Sequence, residues 1–126
     1  MRLLVDTHLL VWWVAGRRLP REAVALIEDS GNELFASAAS IWEIAIKAGL
    51  GRIALDPADF TNALEGGGFT PLPVTSSHAV AVAKLPDIHR DPFDRLLVAQ
   101  SRVEHMSLLT HDRTLAGYGA LVVPGA

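Results

Sequence analysis

Short apolar runs alternate along the chain with segments whose apolar residues recur at helical spacing. The runs at 3–5, 33–37, 69–74, 107–110 and 120–123 have the length and composition of strands. Strands that alternate with helical segments are typical of βαβ units around a parallel sheet, with right-handed crossovers. The pattern predicts an α/β fold, namely a three-layer α/β/α domain with a mostly parallel five-stranded sheet and helices on both faces.

Several helical segments carry recognisable end signals. Asp56-Pro57 and Asp91-Pro92 each place an N-cap carboxylate before a proline at the first helical position, and Gly66–Gly68 supplies a stop. Pro71 and Pro73 cannot donate to a sheet ladder, so the third strand is predicted at an edge. The predicted helices run from about Thr7 to Val14, from Pro20 to near Gly31, through Ile41, Ile44, Ala45 and Ala48 on a core side to Gly49–Gly51, from Pro57 to Gly66, from Thr75 through Leu85, and from Pro92 to about His105.

Composition narrows the class of protein. The 126 residues make one domain, 1–126, and the absence of cysteine excludes disulfides, thiolate catalysis and cysteine zinc sites. The net charge of −3 argues against binding nucleic acid or anionic lipid by bulk charge, although a local basic patch remains compatible with it. No apolar run reaches the ~18 residues that span a bilayer. Asp6 comes too early for a signal peptide, so we expect a cytoplasmic domain without membrane contact.

Four acidic residues lie at positions where open α/β sheets form their ligand-binding sites. Asp6 follows the first strand and Asp112 the fourth, while Glu43 and Asp94 lie in helices next to strands. Sites in open α/β sheets lie at the carboxyl ends of strands, so these carboxylates are expected at one rim. Carboxylates that close repel one another unless a cation joins them, and Mg²⁺ or Mn²⁺ suits oxygen ligands. Such an ion activates water and stabilises a phosphate under attack, which predicts phosphodiester hydrolysis.

Each acid also has a purely structural explanation, so none is decisive alone. Glu43 is placed to pair with the lysine four residues on, for ~0.3 kcal/mol. Asp94 favours the helix dipole three positions after Asp91, which is itself more typical of an N-cap than of a metal ligand. Asp6 suits a turn at the end of a strand. Asp112 suits the N-cap of a short turn.

Taken together, the motifs are more specific. Val5-Asp6-Thr7-His8, the segment from Ser37 to Ile44, the segment from Asp91 to Leu96, and Leu109-Thr110-His111-Asp112 occur in this order. This combination resembles the PIN (PilT N-terminus) domain over residues 3–123, and most of all the VapC-type toxins of bacterial toxin–antitoxin pairs. The resemblance implies a metal-dependent ribonuclease that holds one or two Mg²⁺ or Mn²⁺ ions. It also implies a homodimer and inhibition by a cognate antitoxin protein.

The resemblance assigns residues by position. Asp6, Glu43 and Asp94 match the family's three principal acids, and Asp112 matches its fourth, more variable one. These four are the expected catalytic and metal-binding residues for in-line attack by an activated water, with one carboxylate taking the proton. Thr7 and Thr110 match small polar residues that support the family's site. Two further supporting candidates come from the sequence itself, namely Ser40, which shares a polar stripe with Glu43, and Asp91.

Basic residues near the motifs are candidate RNA contacts. Arg90, Arg95 and Arg113 lie close in sequence to the acids and are suited to hold the RNA backbone, although single exposed arginines are also ordinary surface residues. His8 and His111 stand beside two of the acids, a mild departure from the family pattern. Whether either imidazole contacts metal or RNA stays open.

Other classes share parts of the pattern. Asp6-Thr7-His8 resembles the opening motif of calcineurin-like metallophosphatases and His111-Asp112 that of HD phosphohydrolases, but their further motifs are missing. A receiver domain requires a late lysine, and the last one is Lys84. A non-catalytic module that binds RNA or an antitoxin is the alternative from another class. Four carboxylates at one rim disfavour it, because an RNA binder prefers cations there.

Overall fold

The predicted strands form one parallel sheet in the computed structural model of the chain, which describes residues 1–124. They pack in the order β3-β2-β1-β4-β5, and each neighbouring pair is parallel. The α/β fold with a five-stranded sheet is therefore confirmed. The strands are β1 (Arg2–Val5), β2 (Glu33–Ser37), β3 (Phe69–Leu72), β4 (Ser107–Thr110) and β5 (Leu121–Val122).

Six α-helices and one 3-10 helix connect the strands in the described part of the chain. The longest of them, α3 and α6, each have 12 residues. No helix within residues 1–124 combines the length and apolar character needed to cross a membrane. The helices are α1 (Thr7–Val14), α2 (Arg21–Glu28), α3 (Ala38–Gly49), α4 (Pro57–Gly66), α5 (Ser76–Val82), α6 (Pro92–Val103) and the 3-10 helix (Arg113–Tyr118).

Strand β1 separates two apolar cores. Leu3 and Val5 belong to a core that α1, α2 and α4 cover, whereas Leu4 belongs to a second core that α5 and α6 cover. All three side chains are fully buried. A strand covered on both faces becomes a continuous apolar run, which is how the sequence pattern of β1 arises. The prediction of helices on both faces is confirmed.

The winding of the chain reverses at the centre of the sheet. From β1 the chain proceeds outward through β2 to β3, and then returns to β4 on the other side of β1. The carboxyl ends of β1 and β4 therefore lie side by side at the point where the strand order reverses. This crevice is where open α/β sheets bind ligands.

Some predicted helix and strand ends differ from the structure. Helix α2 begins after Pro20, which is its N-cap, and α2 and α5 both end three residues earlier than predicted. Helix α6 ends at Val103, and His105 adopts a left-handed φ of 55° that cannot continue it. Strand β3 ends at Leu72, because Pro73 has no N–H to extend the ladder.

The buried face of α3 is rotated from the predicted one. Ile41 and Ile44 pack in the core as expected, but Ala45 is exposed and lines an apolar groove. The buried positions of α3 include Ser40 and Glu43, two polar residues that apolar periodicity leaves out. The helix buries a polar edge because that edge faces the candidate site.

Candidate active site

Asp6 follows the central strand β1 and is the N-cap of α1. Its Oδ1 accepts a hydrogen bond from the Leu9 N–H at 3.0 Å, and its Oδ2 accepts one from the Thr110 hydroxyl. Only 2 % of the residue is exposed. Burial raises the pKa of the Asp6 carboxyl, and the hydrogen bonds from Thr110 and Leu9 offset this only in part. A nearby cation would therefore stabilise the ionised form.

Thr110, the last residue of β4, connects Asp6 to a second acid. The hydroxyl that donates to Asp6 also accepts a hydrogen bond from the Asp112 N–H at 3.0 Å. Asp112 caps the 3-10 helix, and its Oδ1 accepts bonds from the Thr114 N–H at 3.0 Å and hydroxyl at 2.7 Å. Burial by itself would raise the pKa of Asp112, but these bonds and two nearby histidines bring it below its ordinary value.

Asp94 lies in the first turn of α6, which begins as the sequence predicts. The Asp91 carboxylate caps the helix by accepting from the N–H groups of Phe93 at 2.8 Å and Asp94 at 3.2 Å. Asp94 Oδ2 lies 2.8 Å from Nε2 of His89. Burial raises the pKa of Asp94, His89 opposes that rise, and the negative charges of Asp91 and Asp6 add to it. Asp6 and Asp94 therefore repel each other across the crevice.

Three side chains at this crevice form a group of potential metal ligands. His89, Asp94 and Asp112 each offer an atom, and these atoms all lie within 4.8 Å of one another. Two carboxylates suit Mg²⁺ or Mn²⁺, and an imidazole nitrogen is a common ligand of transition metals. This set of donor atoms thus fits a divalent ion. Asp6 is connected to the set by Thr110, whose hydroxyl donates to Asp6 and accepts from the Asp112 N–H.

Glu43 lies apart from that group. Its Oε2 pairs with Lys47 Nζ at 2.7 Å, the ion pair that its spacing predicts. The residue is 6 % exposed and lines a small cavity with Asp91 and Phe93 at the start of α6. Glu43 therefore faces the same helix start as Asp94, but within residues 1–124 it joins no cluster of three or more ligand atoms at metal-binding distance.

Two supporting candidates hold α1 and α3 together beside Asp6. The hydroxyl oxygens of Thr7 and Ser40 lie 2.8 Å apart, and both residues are buried. This bond joins the first turn of α1 to the first turn of α3, so it sets where Glu43 stands relative to Asp6. Thr7 and Ser40 therefore contact each other through their hydroxyl groups.

The three candidate RNA-binding arginines differ in their surroundings. Arg90 and Arg113 are exposed next to the acids. The Arg95 guanidinium instead donates to the Val82, Pro86 and His89 carbonyls and to the Tyr118 hydroxyl, at distances of 3.0–3.4 Å. Its guanidinium donors are therefore used inside the protein, where they hold the loop before α6.

His89 is the site residue that the sequence analysis missed. The Tyr118 hydroxyl accepts from the His89 N–H at 3.0 Å and donates to the Pro86 carbonyl at 2.9 Å. Together with Arg95, Tyr118 holds the loop that aims His89 at Asp94. The one sequence signal for His89 was its position two residues before Asp91-Pro92. A histidine in a loop has no periodicity that would mark it as a site residue.

The two other histidines near the acids pack against a tryptophan. The His111 ring lies 4.6 Å from Trp12 and 5.9 Å from His8. Trp13 has a different role, since it packs at 5.1 Å from the Phe69 ring and above Gly67 in the core. The two neighbouring tryptophans thus lie on different faces of α1, Trp12 against His111 and Trp13 against Phe69.

Comparison with known proteins gives the family. The PIN domain family model matches residues 3–121 of the chain. The chain therefore belongs to the PIN domain family, whose members are nucleases in general and typically bind divalent metal ions. A search of curated protein sequences gave no match.

Solved structures share the fold at low sequence identity. VapBC2 from Rickettsia felis, bound to a DNA fragment from its promoter, has a TM-score of 0.69 at 12 % identity, covering 97 % of this chain and 96 % of the other. A toxin–antitoxin complex from Klebsiella pneumoniae has a TM-score of 0.64 at 18 % identity, covering 91 % of each chain. VapBC-1 from nontypeable Haemophilus influenzae has a TM-score of 0.64 at 14 % identity, covering 98 % of each chain.

Proposed function

We propose that this protein is a metal-dependent endoribonuclease and the toxin of a type II toxin–antitoxin pair. The observation that carries the proposal is the convergence of His89, Asp94 and Asp112 within 4.8 Å beside Asp6, in a chain of the PIN domain family. Carboxylates on separate elements have no reason to meet at one crevice unless a cation offsets their repulsion. RNA is the substrate that the resemblance to VapC-type toxins implies.

In this proposal the chain holds one or two Mg²⁺ or Mn²⁺ ions with Asp6, Asp94 and Asp112. His89 would contribute a nitrogen or orient Asp94, and Glu43 would add its carboxylate from α3, directly or through water. The bound ion supplies positive charge that lowers the pKa of water and offsets the charge of the phosphate. Thr110 keeps Asp6 and Asp112 in place from a single hydroxyl.

The proton acceptor we propose is Asp94. Asp6 uses both carboxylate oxygens in hydrogen bonds with Leu9 and Thr110, whereas Asp94 uses Oδ2 for His89. Its other oxygen, Oδ1, accepts no side-chain hydrogen bond within the described residues and is free to accept a proton. Water would form a bond to phosphorus and give a proton to Asp94 as the bond to the leaving ribose oxygen breaks, and that oxygen would take a proton from solvent. The products are one phosphate monoester end and one hydroxyl end.

The test is cleavage of RNA by matched variants. Asp94→Asn removes the charge in the first turn of α6, and we expect RNA cleavage with Mg²⁺ or Mn²⁺ to fall about a hundredfold or more. Asp59→Asn is the matched control, because Asp56-Pro57-Ala58-Asp59 starts α4 with the same pattern and Asp59 is exposed.

The measurement is the cleavage rate of single-stranded RNA with each metal and with EDTA. The wild type and Asp59→Asn should cleave until EDTA is added. Equal cleavage by Asp94→Asn, or cleavage that is indifferent to EDTA, would contradict the proposal. RNA binding without cleavage under any of these conditions would point to a non-catalytic module.

The partners we propose are a cognate antitoxin and a second copy of the chain, both in the cytoplasm. Two solved structures with this fold are described as toxin–antitoxin complexes or VapBC pairs, which supports the antitoxin. Expression of the chain should arrest growth, and co-expression of the small open reading frame beside its gene should relieve the arrest. Light scattering of the purified chain checks the homodimer.

A further inference from the structure

Aromatic rings begin directly beside the carboxylates. The ring of His111, next to Asp112 in the chain, lies 4.6 Å from the Trp12 ring at an interplanar angle of 48°. His8, two residues after Asp6, meets His111 edge-on at 5.9 Å. His8 is exposed, while Trp12 and His111 are half-buried, so each ring keeps part of its surface open to solvent.

Three arginines lie next to these rings, on the side away from the acids. The Arg17 guanidinium stacks over the Trp12 ring at 5.6 Å from its centroid. Arg17, Arg18 and Arg21 line an open depression of about 1010 Å³ that is formed by the α1–α2 connection and by α2, and Glu28 also lines it. Within residues 1–124 no carboxylate lies within 4.0 Å of these three guanidinium groups. None of the nine arginines forms an ion pair within residues 1–124, and what sets these three apart is that they lie together, as a local positive group in a chain whose net charge is −3.

The His111 ring also carries an unused polar atom. Its Nδ1 is buried and makes no hydrogen bond with any described residue. Buried polar groups in folded proteins are nearly always hydrogen-bonded.

We propose that His8, Trp12, Arg17 and His111, here called the aromatic–arginine track, bind single-stranded RNA and lead it to the carboxylates. The proposal rests on the nuclease function proposed above and deepens it. Unpaired bases stack on aromatic rings and guanidinium planes, and arginine pairs with phosphate oxygens. A duplex keeps its bases stacked inside the helix and cannot use such rings. The track therefore selects unpaired RNA.

The test is RNA binding by variants of the track and matched controls. Trp12→Leu keeps apolar packing in the core but removes the flat ring, whereas Trp12→Phe keeps a ring. Arg17→Ala removes the exposed cation, and Lys84→Ala removes an exposed cation on the opposite side of the sheet, after α5. Fluorescence anisotropy in EDTA measures the Kd for a labelled single-stranded RNA of roughly 12 nucleotides and for its duplex. Light scattering gives the mass of each variant.

For single-stranded RNA we expect Trp12→Leu to raise the Kd about tenfold and Trp12→Phe to retain most of the affinity. Arg17→Ala should reduce the slope of log K against log salt by about 0.7, and Lys84→Ala should leave it unchanged. An unchanged Kd in both Trp12→Leu and Arg17→Ala overturns the proposal, as does an equal loss for the duplex. If RNA affinity is unchanged and the mass falls, the track is a protein contact instead.

The cleavage assay separates this inference from the function on which it rests. Cleavage by the wild type, with an unchanged Kd in the variants, refutes the track and leaves the nuclease standing. The expected Kd changes without cleavage under any metal refute the nuclease and leave the track as a binding surface for single-stranded RNA. A wild type that neither binds nor cleaves RNA refutes both.

Discussion

Asp6 and Asp94 are held where negative charge is costly. Burial raises the pKa of both carboxyls, and for Asp94 the charges of Asp6 and Asp91 add to the effect. Such an arrangement destabilises the metal-free protein. In the proposed function, a divalent ion bound between the carboxylates would offset this cost, so the same charges would provide affinity for the metal.

This cost predicts a pH dependence of stability. Because the pKa values of Asp6 and Asp94 lie above the ordinary 3.8 in the folded chain, the folded chain binds more protons than the unfolded chain just above that pH. The free energy of unfolding therefore decreases as pH rises from 3.8 through the raised pKa values. Asp112, whose pKa is lowered, contributes the opposite slope, which is confined to pH values at and below the ordinary one.

Urea unfolding in EDTA, from about pH 4 to pH 8, measures this effect. The wild type should lose stability relative to Asp94→Asn as pH rises, since the variant has no carboxylate to ionise. Asp59→Asn should follow the wild type, because its side chain is exposed. A difference between wild type and Asp94→Asn that is constant across this range, or that favours the wild type at high pH, would contradict the account.

The site residues could be found from the sequence to the extent that strands and caps position them. Asp6 and Asp112 follow apolar runs, so the pattern itself places them at strand ends. His89 has no such marker, because it depends on a hydrogen bond from its backbone to Tyr118, 29 residues later. Contacts between residues so far apart leave no local periodicity.

Helix starts were predicted well because their signals are local. Asp56 and Asp91 each cap a helix with a proline next to them, and each carboxylate accepts two N–H groups. The inward face of α3 was predicted less well, because its buried residues include the polar Ser40 and Glu43. Apolar periodicity cannot identify a polar side chain that is buried.

The two capped helices give a matched test at the level of the element. Asp56→Ala and Asp91→Ala should each lower the free energy of unfolding by ~1 kcal/mol, since each removes an N-cap. Only Asp91→Ala should also reduce RNA cleavage, because α6 carries Asp94 whereas α4 carries an exposed acid. Urea unfolding and cleavage rates measure the two effects. Equal loss of activity in both variants would mean that cleavage responds to stability alone.

At the scale of the whole molecule, strand order creates the site. Placing β4 beside β1 brings Thr110 within hydrogen-bonding distance of Asp6, although 104 residues separate them in the chain. The alternation of strands and helices predicts a parallel sheet and its rim. It does not give the strand order, which depends on how the two apolar cores pack. That order explains why Asp112, two residues after β4, is connected through Thr110 to Asp6, directly after β1.

The most direct test of the account is Mn²⁺ binding measured by isothermal titration calorimetry. The central claim is that carboxylates from separate elements share a divalent ion. The wild type and Asp59→Asn should bind Mn²⁺ with similar affinity, and Asp94→Asn should bind it at least about tenfold more weakly. If Asp94→Asn bound Mn²⁺ as tightly as the wild type, the carboxylates would not form the metal site and the account would be wrong.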